Sequence, residues 1–267
     1  MTPYKIEAGT AQHVGHRAQQ NDRVALLTGA RAPGFMLAVL AGGVAGGAGA
    51  AEQVLHTARQ MFDAFKPSAH PDVEALTALL HDIVYEADLV IRLNGVASGS
   101  EAHCTLAALL ITPAGQAVWA HVGDARLYRF HAAACLLRTS DAHYIDALME
   151  NDMTLDAARK HRRSPLLVNV LGNRHKTPFV TVGSHAGLAA GDAFLLCSTG
   201  LWHYFTDAEL AAVLSKNTPR QASGLLIDKA RERAKGKGGN CTMAIIKLVE
   251  APVPVPDYSM KMTRRTT

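Results

Sequence analysis

The sequence predicts an α+β fold in which antiparallel sheets are covered by helices. Three observations carry this. Strand-length apolar runs and runs of helical spacing follow as two strands, two helices, a meander of strands, helices, strands, helices and a last strand, which is no βαβ alternation. The loops inside the meander are short, which implies antiparallel neighbours. At 267 residues, 48% hydrophobic and 19% charged, the chain can bury a sizeable core without staples.

Taken in order, "DRVALLT" and "GFMLAVLA" read as strands around the turn "GARAPG". "AAEQVLHTARQMFDAF" has helical spacing. A second helix starts at an Asp72 N-cap, repeats Val73, Leu76, Leu80, Ile83, Ala87 and Val90 every three to four residues, and is expected to end at Asn94–Gly95. Strands follow in "CTLAALLIT", "AVWAHVG", "ARLYRF" and "CLLRT", with turns at "PAGQ" and "HAAA". Short helices are expected at "YIDALMEN" and "TLDAARKH", then strands at "PFVTVGS" and "DAFLLCS". "DAELAAVL" and "RQASGLLIDKARERA" read as helices and "CTMAIIKLV" as the last strand. Residues 1–250 are expected to form one domain. Residues 251–267, "APVPVPDYSMKMTRRTT", are Pro-rich and then basic, the composition of a disordered tail.

The net charge of +4 is mild and sits partly in that tail, so a solvated surface is expected and no nucleic-acid face. Cys104, Cys135, Cys197 and Cys241 are far apart and form no C-x-x-C pair. That pattern suggests reduced thiols in a cytoplasmic protein. The N-terminal "MTPYKIEAGT" has no apolar core of a secretory signal. Gly34 to Ala51 carries no charge, but its second half is nearly all Gly and Ala, which makes a poor spanning helix. No membrane association is expected.

The glycine cluster within that stretch, "LAGGVAGGAG", invites a phosphate-loop reading. A Walker-type loop needs Lys after its second glycine, and Ala48 stands there. The dinucleotide spacing G-x-G-x-x-G does not fit either.

Later segments explain it. "AHVGDARLYRF", "GDAFLLCSTGLW" and "GNCTMAII", preceded by "RAQQND" and "LAGGVAGG", occur in the order and at the distances of the metal-dependent protein phosphatases of type 2C, which the chain resembles from about Gly9 to Val249. The resemblance implies a four-layer α-β-β-α sandwich, two central antiparallel sheets flanked by helix pairs. It also implies a cluster of Asp carboxylates holding two Mg or Mn ions at one end. Hard cations prefer oxygen ligands, and two close ions repel unless anions sit between them.

The motifs are degenerate. Arg17 matches a phosphate-contacting Arg and Asp22 the last acid of its motif, with Asn21 in place of a Glu. Gly42 stands where the resemblance implies the metal-bridging Asp, and Gly43 keeps the following glycine. "GDAR" keeps Gly123, Asp124 and Arg126, and "TSDAH" keeps Asp141 but has Ala142 for a His. Thr199 and Gly239 replace two further metal aspartates, while Asn240 and Thr242 remain. A residual metal site would have only Asp22, Gly43 and Asp124. His103, His121 and His203, with Cys104, Cys197 and Cys241, could in chemistry make a softer site, but ordinary core and surface roles fit them better. Asp124 fits a turn role or a residual metal role, and Arg17 a surface role or a phosphate contact.

The expectation is a phosphatase 2C-like pseudophosphatase, with no cofactor. It would be a binding or regulatory module for a phosphorylated protein or another component of a kinase/phosphatase pathway. The alternatives are an active Mg- or Mn-dependent serine/threonine phosphatase with an unconventional metal site, and a scaffold that uses another face.

Overall fold

A computed structural model of the chain describes residues 4–44, 47–68, 71–141 and 167–251. Among the described residues, ten strands build two five-stranded sheets, and every pairing is antiparallel. The first sheet has the order β1-β10-β9-β6-β7, from Tyr4–His13, Cys241–Glu250, Asp192–Cys197, Arg126–His131 and Ala134–Arg138. The second has the order β2-β3-β4-β5-β8, from Arg23–Gly29, Ala32–Val44, His103–Ile111, Gln116–Val122 and Thr181–Ala186. Helices α1 (Ala48–Ala64) and α2 (Val73–Ser98) cover the second sheet. Helices α3 (Thr199–Trp202), α4 (Asp207–Lys216) and α5 (Pro219–Ala234) lie against the first.

Strand alternation sorts the apolar residues into three cores. On β3, Leu37, Val39 and Ala41 pack toward α1 and α2, while Met36, Ala38 and Leu40 pack toward the other sheet. On β10, Ala244, Ile246 and Leu248 join that inter-sheet core, and Met243 and Ile245 face α3–α5. Three cores between four layers is the sandwich that the motifs implied. The helix starts are chemically defined. Asp72 Oδ1 accepts from Ala75 N at 2.7 Å, and Thr206 and Thr218 close capping boxes with Glu209 and Gln221.

The structure departs from the sequence reading in three places. The first strand, β1, was not anticipated; it pairs along its whole length with β10 at the sheet edge. Helix α2 runs past Asn94–Gly95 and ends at Gly99, with φ +70. Gly95 answers a packing need, because a Cβ there would lie 3.0 Å from Ser100 O. Third, β5 and β6 are joined by only Gly123–Ala125 yet do not pair, because this link steps from one sheet to the other. Gly123 makes the step at φ +88. The helices expected at "YIDALMEN" and "TLDAARKH", and the 252–267 segment, lie outside the described residues.

Candidate functional site

The inter-sheet faces of four strands run out of apolar residues at the same end. Two positions beyond Leu40 comes Gly42, two before Ala107 comes Thr105, two beyond Leu196 comes Ser198, and two before Ala244 comes Thr242. Asp22, just ahead of β2, and Asp124, in the sheet-crossing link, close the same end. The result is a cleft of about 550 Å³ whose lining includes Arg17, Asn21, Asp22, Gly42, Gly43, Asp124, Thr199, His203, Tyr204, Gly239 and Asn240. The candidate positions read from five separate motifs therefore meet in one place.

Burial governs the two carboxylates. Asp22 is 5% exposed, and its Oδ2 has no hydrogen-bond partner within reach. Burial pushes its pKa up to about 6, against the pull of the nearby Ser198 and Thr242 hydroxyls and the Gly43 N–H; the negative charge of Asp124 adds to the rise. Those hydroxyls are near enough to ease the charge, but neither completes a bond to Oδ2, and Thr242 Oγ1 is itself unpartnered. Asp124 is buried too, and its Oδ2 accepts from Thr199 Oγ1 at 2.8 Å. The Thr199 hydroxyl thus holds the neighbouring carboxylate by a hydrogen bond.

Asn240 fixes the rim. Its Oδ1 accepts from Asn21 N at 2.8 Å, and its Nδ2 donates to Val14 O at 2.8 Å and Gln19 O at 3.1 Å. The loop that carries Arg17 is thereby tied to the start of β10. Arg17 is exposed at the cleft and makes no ion pair among the described residues. Behind Asp124, Trp202 Nε1 donates to Asp124 O at 2.9 Å, and the Arg126 guanidinium stacks 3.5 Å from the Trp202 ring centroid. Arg126 also grips Asp141 with two bonds of 2.8 and 2.7 Å. Arg126 and Asp141 therefore serve as a brace behind the cleft. Sequence reasoning missed Thr105, Ser198, Trp202 and the Asn240 clamp. Only the strand registers could have pointed to the first two.

A pair of divalent ions does not fit these residues. Gly42, Thr199 and Gly239 offer no carboxylate, and a Cβ on Gly42 would lie 2.8 Å from Thr105 Oγ1, so even the space of the implied bridging side chain is partly filled. At Gly239 a Cβ would meet nothing within 4 Å. No group of three or more His, Cys, Asp or Glu able to hold a metal occurs among the described residues. Cys104, Cys197 and Cys241 point into the cores between sheet and helix, and burial raises their thiol pKa values. His121 is buried with Nε2 at 2.9 Å from Ser140 O, and His103 sits beside Glu101; only His203 reaches the cleft. No described helix is long and apolar enough to cross a membrane.

No protein-family model matches the sequence, and no curated protein matches it. Solved structures do. A Streptococcus agalactiae serine/threonine phosphatase superposes with a TM-score of 0.78 at 22% identity, over 92% of this chain and 100% of that one. PppA of Pseudomonas aeruginosa, described as a key regulatory component of T6SS, gives 0.71 at 25% identity over 91% and 97%. The catalytic domain of the phosphatase PstP, in complex with two manganese ions, gives 0.71 at 24% identity over 92% and 99%. The chain has the fold of the bacterial PPM-type serine/threonine phosphatases, and the cleft described above lies within it.

Proposed function

We propose that this chain, built on the serine/threonine phosphatase fold, is a pseudophosphatase: a cytoplasmic recognition module that engages a phosphorylated protein segment without cleaving it. The observation that carries the proposal is the cleft's chemistry. Three carboxylate positions are Gly42, Thr199 and Gly239, and the Thr199 hydroxyl is spent on Asp124. Nothing there can generate a nucleophilic hydroxide between two ions. Residues 1–250 form the recognising domain in this reading.

Arg17 supplies the attraction. It stands exposed on a loop held by Asn240, and its planar fork suits phosphate oxygens. Asp22 and Asp124 push a phosphate away from the floor of the cleft by like charge. The phosphoryl group is therefore held at the rim, out of the position a substrate would need.

The retained carboxylates favour one second reading, an active enzyme with a single ion. Mg²⁺ can be held by one or two carboxylates together with substrate phosphate. The two readings part in one experiment. Purified protein is assayed on a phosphoserine peptide with Mg²⁺ and with Mn²⁺, and binding of the same peptide is measured alongside. The proposal expects binding that is lost in Arg17→Ala, and no turnover. Metal-dependent turnover that disappears in Asp22→Ala establishes the enzyme instead.

A further inference from the structure

Helix α2 carries an apolar face that no described element covers. Tyr85, Leu89, Leu93 and Val96 are 40, 43, 58 and 66% exposed. Their spacing of four, four and three residues places them on one stripe, opposite the buried Leu80, Ile83, Val84, Ala87 and Ile91. At 3.6 residues per turn the same stripe holds Ala78 and Asp82 toward the N-terminus and Arg92 between Leu89 and Leu93. Single exposed apolar residues are ordinary; four large ones on one stripe make a contiguous apolar patch.

We infer that this face is a self-association site, where α2 packs antiparallel against α2 of a second copy of the chain. The argument is self-complementarity. With a two-fold axis at the level of Ala87, Asp82 of each copy comes level with Arg92 of the other. In the same register Tyr85 meets Leu89, and the small Ala78 receives Val96. One register thus satisfies a charge pair, an apolar pair and a large-into-small fit, each made twice, as an isologous contact requires. Asp82 is exposed and makes no ion pair among the described residues. Arg92 uses Nε for Asp88 at 2.9 Å, and a guanidinium has donors left for a second carboxylate. The acidic Glu74, Asp82 and Glu86 along this helix disfavour an anionic membrane as the occupant.

The stripe from Ala78 to Val96 is about 27 Å long and a helix about 10 Å across. Its footprint is on the order of 300 Å² per copy, below the ~800 Å² per partner of a standard interface. The association is therefore weak and reversible, and it shows only at high protein concentration.

Sedimentation equilibrium of the full chain, carried up to roughly 500 µM, tests this. A monomer–dimer equilibrium is expected that weakens at least tenfold in Leu89→Asp and in Asp82→Lys, with circular dichroism confirming that both variants fold. Leu225→Asp, which alters an exposed leucine on α5, should leave it unchanged. A chain that stays monomeric throughout overturns the inference. So does a dimer indifferent to Leu89→Asp, one equally sensitive to Leu225→Asp, or a stripe that binds only an unrelated protein.

Discussion

Replacing Asp22 by Asn should make the protein more stable, and the gain should depend on pH. In the fold, the Asp22 carboxyl is raised from its ordinary 3.8 to about 6, chiefly by burial and further by the charge of Asp124. The folded state therefore holds this proton more tightly than the unfolded chain does. Below pH 3.8 both states are protonated and the site is neutral to stability. As pH rises toward 6 the unfolded chain loses its proton first, and folding stability falls. Above that range the cost is complete, about 3 kcal/mol for a rise of about two pH units. Asn keeps the shape without the charge. Its advantage over Asp should be small near pH 4 and grow to about 2–3 kcal/mol by pH 8, or roughly 4–12 °C in melting temperature. Urea denaturation of both proteins across that range reads the difference. A constant difference, or one that widens on acidification, refutes the reasoning. The same series serves the single-ion reading, because a bound ion would remove the cost that Asp22 carries at pH 8 and so close the gap to Asn, which carries none.

Other substitutions follow from the same geometry. Thr199→Ala removes the bond to buried Asp124 and should cost about 1 kcal/mol in urea denaturation. Asn240→Ala breaks three hydrogen bonds, should cost about 2–3 kcal/mol, and should weaken phosphopeptide binding because the Arg17 loop is released; fast proteolysis at residues 14–21 would report that release. Gly239→Asp meets open space and should change stability by under about 0.5 kcal/mol, whereas Gly42→Asp meets Thr105 Oγ1 and should cost about 1–3 kcal/mol. Adding Thr105→Ala should recover part of the Gly42→Asp loss, a coupling that a double-mutant cycle measures. Arg126→Lys gives up the two-pronged grip on Asp141 and should cost about 1–3 kcal/mol, read by thermal melting.

The architecture is legible in the sequence where the signal is local. The apolar alternation of β3 and β10 and the Asp72 cap can be read from neighbouring residues alone, since period and capping chemistry act over a few residues. What escapes depends on partners far away in the chain. In β1, Tyr4, Ile6, Ala8 and Thr10 alternate with charged or small residues, and the strand is defined by its pairing with residues 241–250. Asn94–Gly95 has turn chemistry, but the helix runs on to Ser98, and Gly95 instead leaves room for the close approach of Ser100 O. The site divides the same way. Asp22, Gly42, Asp124, Thr199 and Gly239 can be found because motif order preserves them. Thr105 and Ser198 cannot, because a polar residue at a strand end acquires meaning only once the register places it opposite its neighbours.

The long β1–β10 ladder also sets a timetable. The chain's first strand finds its hydrogen-bonding partner only after more than 200 further residues have been made. At about 5–20 residues per second, a nascent chain carries β1 unpaired for more than about 10 s. The Arg17 loop waits as long, since the side chain that pins it, Asn240, emerges immediately before that partner strand. The second sheet, contained within residues 23–186, can assemble first. During synthesis, therefore, the wall of the cleft that carries Asp22 and Gly42 can form before its opposite wall, and the cleft is complete only once β10 has been made.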